Sequence, residues 1–276
     1  MNNNNPLLVL TYHAIDDRSA VISVSPEKFR WQMRQLTALG MKGISLAQAF
    51  AHLEQTGCYP PDAAVLTFDD GYLSVLEHAL PVMAEHDFSA TVFLVTSMMG
   101  MNAVQARAAH PDFDRGLLDW DQAETLVRAG LEVGSHTVSH PDLRCVSPCA
   151  LEQELEQSKT LLEQRLQLRV DALAYPYGHF NAEVLATTSR YYRRACTTRL
   201  GRCGRQSDPW QLNRVDTYYL QHPKRFLKLL EGRLEGWLQF RQHLRDLKNL
   251  AGRAAPKGPT TKATEARKPE RKIDHL

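Results

Sequence analysis

The sequence predicts an α/β protein in which parallel strands alternate with helices. Short apolar runs, typical of buried strands, recur along the chain and are bounded by Gly, Pro or Asp. Longer stretches with apolar residues at helical spacing separate these runs. An open doubly wound sheet and a barrel both have this element order, and in either fold the functional site lies at the carboxyl ends of the strands.

The alternation begins in the amino-terminal part of the chain. Leu7–Leu10 is uniformly apolar and predicts a strand. The helix predicted over residues 25–39 opens with a capping serine and a proline, and it stops at a glycine. Ala63–Phe68 predicts a second strand that breaks at an acidic turn, and Leu73–Glu85 has helical spacing.

The same order continues to about residue 198. Ala90–Val95 predicts a strand, and Asp121–Ala129 predicts a helix closed by a glycine. The remaining elements, identified by the same spacing, are strand Leu131–Gly134, helix Ala150–Gln167, strand Ala172–Tyr175, helix Asn181–Tyr191 and a strand near Ala195–Thr198. The insert from about Ser97 to Leu118 is expected to form a loop over the site and to select substrate.

The carboxyl-terminal part has a different composition. Residues 223–250 combine helically spaced apolar side chains with many arginines and lysines, which predicts a basic amphipathic helix. Such a helix could lie on an anionic membrane or a partner protein, or it could be an ordinary packing helix. Residues 251–276 are rich in Lys, Arg, Pro, Thr and Ala and are predicted to be disordered.

Bulk composition excludes some classes of function. The chain has 276 residues and a formal net charge of only +2, so it lacks the positive field of a dedicated nucleic-acid binder. No apolar run has the roughly 18 residues of a spanning helix, and the first residues lack a secretory signal. The five cysteines are odd in number and are expected to be reduced, with Cys145 and Cys149 as packing thiols. We therefore expect a soluble cytoplasmic protein.

Two adjacent carboxylates follow the strand Ala63–Phe68. Burial of both Asp69 and Asp70 would be costly without a nearby cation. An Asp-Asp-Gly sequence is also an ordinary turn, so this pair alone leaves both interpretations open.

Two histidines, His136 and His140, follow the strand Leu131–Gly134. Residues four apart share one face of a helix, so both imidazoles could point at one ion, although such pairs also occur on ordinary surfaces. One aspartate and two histidines leave positions open for water and substrate, as a hydrolytic metal requires. The second aspartate is then free to act as a base.

Three motifs occur in order along the chain: Thr67-Phe68-Asp69-Asp70-Gly71, His136-Thr137-Val138-Ser139-His140 and Pro176-Tyr177-Gly178. Together they resemble the polysaccharide deacetylases, the NodB-homology domain of carbohydrate esterase family four. The resemblance implies a distorted (β/α) barrel over residues 6–222, followed by the helical extension 223–250 and the tail 251–276. It also implies that Asp70, His136 and His140 bind a divalent metal ion, with zinc expected, and that Asp69 is the base.

The same resemblance also implies which residue is the catalytic acid. The family has a late Leu-x-x-His motif, but Leu220-Gln221-His222 is one residue too short. Leu10-Thr11-Tyr12-His13 fits the motif and is similar to the circularly permuted branch typified by poly-N-acetylglucosamine deacetylases, which implies that His13 is the acid. Without the other motifs, a structural histidine at a strand edge would be the better interpretation.

Three further residues complete the expected site. The backbone N–H of Tyr177 is expected to stabilise the charge on the carbonyl oxygen. Ala174 stands where many family members have the arginine that orients the base. We expect Arg214 to replace that arginine and Asp216 to hold the ring of His13, the alternative being a surface ion pair between the two.

The resemblance implies a hydrolase that removes N-acetyl groups from an amino-sugar-containing saccharide in polysaccharide or glycoconjugate biosynthesis. The alternatives are a hydrolase of another linear amide or acetyl ester, and a non-catalytic saccharide-binding or membrane-associated module. The expected partners are the N-acetylated saccharide and, peripherally, an anionic inner membrane face or a glycosyltransferase, with no nucleic acid.

Overall fold

The computed structural model describes residues 6–254, with side chains as far as Leu247. The strands are β1 (Leu8–Tyr12), β2 (Ala14–Ile15), β3 (Ser23–Val24), β4 (Lys42–Ile44), β5 (Ala63–Phe68), β6 (Thr91–Leu94), β7 (Glu132–Ser135), β8 (Ala172–Ala174), β9 (Arg194–Cys196) and β10 (Val215–Asp216). The helices are α1 (Pro26–Ala38), α2 (Leu46–Thr56), α3 (Leu80–Glu85), α4 (Ala103–Ala109), α5 (Trp120–Arg128), α6 (Pro148–Leu166), α7 (Ala182–Tyr191), α8 (Pro223–Leu230) and α9 (Glu235–Ala254).

Eight of the strands form one parallel sheet with the order β10-β1-β5-β6-β7-β8-β9, and β4 pairs with the first half of β5. Strands β2 and β3 form a separate parallel pair. The sheet is curled, and helices surround its convex face, so the chain has the (β/α) barrel that the sequence predicted. The structure therefore decides between the barrel and the open sheet.

Alternate residues of each strand belong to two different apolar clusters. Val9, Val65 and Phe93 belong to the cluster inside the barrel, whereas their neighbours Leu10 and Leu66 pack with the surrounding helices. This two-residue period follows from the pleat of a strand, and it explains why both faces of the sheet are apolar.

Two features close the barrel. At the amino ends of the strands, α2 is tied to β6 and β7, because the N–H of Leu46 donates to Thr91 Oγ1 and that of Ala47 donates to Glu132. Along the side, a bridge between Cys196 and Leu212 joins β9 to the segment that leads into β10. The opposite end, where the strands finish, stays open.

The carboxyl-terminal extension differs from the prediction of one helix over residues 223–250. It forms two helices, α8 and α9, separated at Gly232, which has a φ of 69° that favours glycine. Phe226, Leu229 and Leu238 are buried in the cluster that covers the outer face of the barrel. Helix α9 continues to Ala254, four residues into the tail predicted to be disordered, and the rest of that tail lies outside the described residues.

Within residues 6–254, no helix has the length and apolar character needed to cross a lipid bilayer.

Candidate metal centre and active site

The predicted site residues lie at the open end of the barrel. His13 follows β1, Asp69 and Asp70 follow β5, and His136 follows β7. These four side chains, together with His140 and Tyr177, line a cavity of about 480 Å³. The carboxyl ends of parallel strands therefore gather residues that are far apart in the sequence, as expected for a barrel.

Asp70, His136 and His140 form a compact buried triad. Asp70 Oδ1 lies 3.4 Å from His136 Nε2 and 3.7 Å from His140 Nε2, and one ligand atom of each residue lies within 4.8 Å of the others. His136 Nδ1 lies 2.7 Å from the carbonyl oxygen of Ala174 and can donate to it, which leaves the lone pair of Nε2 facing the triad. Two imidazole nitrogens and one carboxylate oxygen fit a divalent cation such as zinc.

The electrostatics of the triad also fit a cation. Burial lowers the pKa of His140 to about 4, and the neighbouring His136 acts in the same direction, so His140 is in the neutral form that binds metals. Burial also disfavours charge on His136, but its hydrogen bond to Asp70 and the two nearby carboxylates outweigh burial and raise its pKa. The carboxylates therefore favour positive charge at this point, which a metal ion would supply.

The two histidines converge for a different reason from the one predicted. Residues 136–140 form a loop and not a helix, and Thr137 and His140 have φ values of 70° and 59°. Glu154 on α6 holds this loop, because it accepts hydrogen bonds from the N–H groups of Val138 and Ser139 at 2.8 and 2.9 Å. The shared helical face was thus the wrong explanation. Positive φ values cost free energy, and the contacts of Glu154 offset that cost.

Asp69, next to the triad, is held by Arg214, which reaches it from inside the barrel. Arg214 Nη1 and Nη2 donate to the two carboxylate oxygens of Asp69, both at 2.7 Å. Arg214 is 1% exposed, and its Nε donates to the carbonyl oxygen of Thr197. Burial would raise the pKa of Asp69, but the charge and hydrogen bonds of Arg214 outweigh it and hold that pKa below its usual value. The carboxylate is therefore ionised and fixed in orientation.

His13 also lies near the carboxylate of Asp69. Its Nε2 lies 3.9 Å from Asp69 Oδ2, and its side chain is 21% exposed to the cavity. Asp216 is not brought to this ring: within residues 6–254 it makes no ion pair or hydrogen bond with His13. Its Oδ1 accepts the N–H of Tyr218 and so caps the short turn after β10. The predicted contact between Asp216 and His13 has no support in this geometry.

Tyr177 occupies a strained turn after β8. Its φ is 59°, and in the described part of the chain its N–H donates to no other group. Gly178 follows with a φ of 69°, and a Cβ there would lie 2.4 Å from the backbone nitrogen of Thr198. The Pro-Tyr-Gly sequence therefore permits a close approach to Thr198, in a turn that leaves the N–H of residue 177 without a partner among the described residues.

The predicted insert does lie over the site. It contains α4, and residues of its second half, from Arg107 to Arg115, line the cavity. The hydroxyl of Tyr177 donates to Asp112 at 2.8 Å, and Phe113 packs edge-on against the ring of His140. The insert thus forms one wall of the cavity.

The sequence pattern of the polysaccharide deacetylase family matches residues 56–195, about half of the chain, and includes all three residues of the triad. The chain belongs to the polysaccharide deacetylase family. It is therefore a hydrolase of the class that acts on N-acetyl amide bonds, as the sequence predicted.

Individual members of the family are similar at low identity. The chain is 25% identical to YxkH of Bacillus subtilis over 210 residues, which is 76% of this chain and 70% of YxkH. It is also 25% identical to the poly-beta-1,6-N-acetyl-D-glucosamine N-deacetylase of Staphylococcus epidermidis over 165 residues, which is 58% of this chain. The chain spans only 55% of that second relative.

Solved structures of family members have the same fold. The deacetylase PplD of Streptococcus pyogenes, in complex with acetate, superposes with a TM-score of 0.68 at 27% identity, over 76% of this chain and 92% of PplD. IcaB from Ammonifex degensii also has a TM-score of 0.68, at 22% identity, over 85% of this chain and 97% of IcaB. The latter likeness concerns the fold alone.

Two features of this polysaccharide deacetylase were missed or misplaced by sequence reasoning. Glu154, which holds the His140 loop, gave no signal, because it is one of several acidic residues on α6. Cys145 and Cys149 were expected to be packing thiols, but both are exposed. All five cysteines are free, in agreement with the prediction of reduced thiols.

Proposed function

We propose that this protein is a metal-dependent deacetylase that removes the acetyl group from an N-acetylated amino sugar in a saccharide. The observation that carries the proposal is that two adjacent carboxylates have different surroundings. Asp70 belongs to the buried triad, whereas Asp69 is held by Arg214 and faces the cavity. One cavity thus offers a cation site and a separate base.

The divalent ion, which would be held by Asp70, His136 and His140, supplies a lowered pKa for a water and polarisation of the acetamide carbonyl. Zinc is the ion that this donor set favours, because imidazole nitrogens and a single carboxylate are its common ligands.

The residues of the chain perform the proton transfers in this proposal. Asp69 removes a proton from the attacking water, and Arg214 fixes the plane of its carboxylate. The free N–H of Tyr177 donates to the carbonyl oxygen as negative charge develops there, a contact worth about 3 kcal/mol. His13 gives a proton to the departing amine, which otherwise leaves poorly.

A different amide or an acetyl ester could react in the same cavity, because these residues recognise the carbonyl and not the sugar. The likeness to poly-N-acetylglucosamine deacetylases favours the amino sugar. A non-catalytic saccharide-binding module is the second alternative, and the coexistence of a cation site and a separate base disfavours it.

The test is acetate release from chito-oligosaccharides by the purified full chain, with and without a chelator. We expect release that the chelator abolishes and that added zinc restores, with Asp70→Asn inactive even when zinc is present. Product analysis by mass spectrometry distinguishes N-deacetylation from ester cleavage. Binding of the oligosaccharide without any acetate release would support the non-catalytic alternative.

We also propose that the carboxyl-terminal extension contacts a membrane surface or a partner protein. The extension formed by α8 and α9 carries exposed basic residues such as Lys224 and Lys228, and it could bring the enzyme to an anionic membrane face or to a glycosyltransferase. Sedimentation with anionic and neutral vesicles tests the membrane contact, which requires binding to the anionic vesicles alone.

A further inference from the structure

The active-site cavity is the first of three neighbouring cavities. It shares Ala20 with a second cavity, of about 450 Å³, that is bounded by residues 16–25 and Lys28. The second cavity shares Tyr218 and Gln221 with a third, of about 440 Å³, on the carboxyl-terminal helices. The shared residues place the cavities in a row from the metal triad to the extension.

The third cavity is formed around two arginines that lie over aromatic rings. The guanidinium carbon of Arg241 lies 5.1 Å from the ring centre of Tyr219 and 5.8 Å from that of Trp237. The guanidinium carbon of Arg225 lies 5.2 Å from the ring centre of Trp237. Cation–π contacts of this kind hold guanidinium groups in place while their N–H donors stay available. We call these four residues the arginine–aromatic cluster.

Among the residues that the structure describes, the two arginines of the cluster have no acidic partner. No carboxylate lines the third cavity, and within residues 6–254 neither guanidinium lies within 4 Å of a carboxylate oxygen. The nearby Arg202 and Arg233, in contrast, are paired with Glu235 and Glu231. In addition, Nε of Arg241 is buried and has no hydrogen-bond partner among the described residues. A buried donor without an acceptor costs free energy, so the described contacts leave the hydrogen-bonding capacity of Arg241 unsatisfied.

We propose that the arginine–aromatic cluster binds a phosphate or diphosphate group. Two fixed guanidinium groups without a counter-charge match a dianion better than a single carboxylate, and their planar forks suit phosphate oxygens. The row of cavities indicates which ligand would use this site. A saccharide whose N-acetyl sugar lies at the triad could place its phosphate at the cluster. This use rests on the proposed deacetylase function, whereas the anion site itself does not.

The direct test is a titration of the full chain with inorganic pyrophosphate, followed by tryptophan fluorescence and by calorimetry. We expect saturable binding that is at least about tenfold weaker in the double variant Arg225→Gln/Arg241→Gln, because each lost charge-assisted contact weakens binding by about that factor. Arg233→Gln is the matched control and should bind as the wild type does.

Other variants and probes decide where the anion binds. Pyrophosphate could coordinate a metal at the triad, so His140→Ala is titrated as well, and it should bind pyrophosphate normally. Loss of binding in His140→Ala, or unchanged binding in the folded double variant, would overturn the inference. Circular dichroism and the melting temperature establish that the double variant is folded.

A separate experiment distinguishes the phosphate of a lipid headgroup from a free phosphate group. Vesicles of phosphatidylglycerol present phosphate in a lipid headgroup, with phosphatidylcholine vesicles as the control. Binding to the anionic vesicles without any binding of pyrophosphate would also overturn the inference, because surface charge would then suffice. If chito-oligosaccharides are not deacetylated but pyrophosphate binds at the cluster, the proposed function fails and the anion site stands.

Discussion

At the residue scale, the side chains around Asp69 belong to different parts of the chain and serve different purposes. Arg214 contacts both carboxylate oxygens, and His13 approaches one of them from the cavity. This arrangement allows the base and the acid to be tested separately.

Replacement of Arg214 should change the pH dependence of the reaction. Arg214→Gln removes the charge that holds the pKa of Asp69 down, and burial then raises that pKa. Since the base must be ionised, the acidic limb of the kcat/KM profile should move to higher pH. Arg214→Lys keeps the charge and should show a smaller shift. A profile of Arg214→Gln that coincides with the wild type would contradict this role.

Replacement of His13 should depress turnover and leave metal binding intact. We expect His13→Ala to lower kcat by about 10²–10⁴-fold, the usual contribution of a positioned acid. The metal content, measured by atomic absorption, should not change, because His13 is outside the triad. His222→Ala is the control: His222 caps α8 through the N–H of Lys224, and its loss should leave kcat unchanged.

The types of these residues could be predicted from the sequence, but their conformations could not. Adjacent aspartates and paired histidines after strands pointed to a metal site by their chemistry alone. The left-handed backbone of Thr137 and His140 has no sequence signature, since neither residue is glycine. Arg214 was expected as a replacement for a family residue, and only the folded chain brings it to Asp69.

At the element scale, the elements that no sequence pattern predicted include β4, which pairs with β5, and α2, which covers the amino ends of β6 and β7. Strand β4 has three residues and includes a glycine, too little for a recognisable pattern. Helix α2 begins with a capping box formed by Ser45 and Gln48, a signal that could have been found. The predicted strands up to β9 have their observed counterparts within a few residues, because their apolar runs were longer. The helix predicted over 73–85 is a π-helical turn, Val75–Ala79, followed by α3, and the helix predicted over 223–250 is divided into α8 and α9.

The contact between α2 and β7 should make stability depend on pH. Burial raises the pKa of Glu132, which accepts from the N–H of Ala47 and from the hydroxyl of Thr91. The folded state therefore binds this proton more tightly than the unfolded state does. The contribution of Glu132 to the free energy of unfolding is fully present below pH 4.5, the ordinary pKa of a glutamate, and it is lost as the pH rises through the raised pKa.

We expect Glu132→Gln to lack this decline in the free energy of unfolding, because an amide oxygen can accept both hydrogen bonds without a charge. Urea unfolding of both proteins at several pH values above 4.5 provides the measurement. Parallel curves for the variant and the wild type would refute the assignment.

At the scale of the whole molecule, the carboxyl-terminal helices are part of the same core as the barrel. Phe226 is fully buried, whereas Phe240 on α9 is 60% exposed. Phe226→Ala should therefore lower the free energy of unfolding by about 3–5 kcal/mol. Phe240→Ala, the same chemical change on the surface, should stay within about 0.5 kcal/mol of the wild type. Equal effects in the two variants would show that α8 does not stabilise the fold.

Closure of the barrel could not be predicted from periodicity, which fitted an open sheet equally well. The family resemblance supplied the barrel, and the structure shows how the chain achieves it. Residues 209–212 add backbone hydrogen bonds to β9, and Val215 then pairs with Leu10 of β1. The pairing of Val215 with Leu10 joins residues about 200 positions apart, which no local pattern reveals.

The segment that seals the side of the barrel also carries Arg214. When this segment is displaced, Asp69 loses the guanidinium partner whose charge and hydrogen bonds hold its pKa down. A carboxyl group with a higher pKa holds its proton to higher pH and is less available as a base. Closure of the barrel and ionisation of the proposed base thus depend on the same stretch of backbone, so a molecule in which this segment is displaced lacks a competent base in the proposed mechanism.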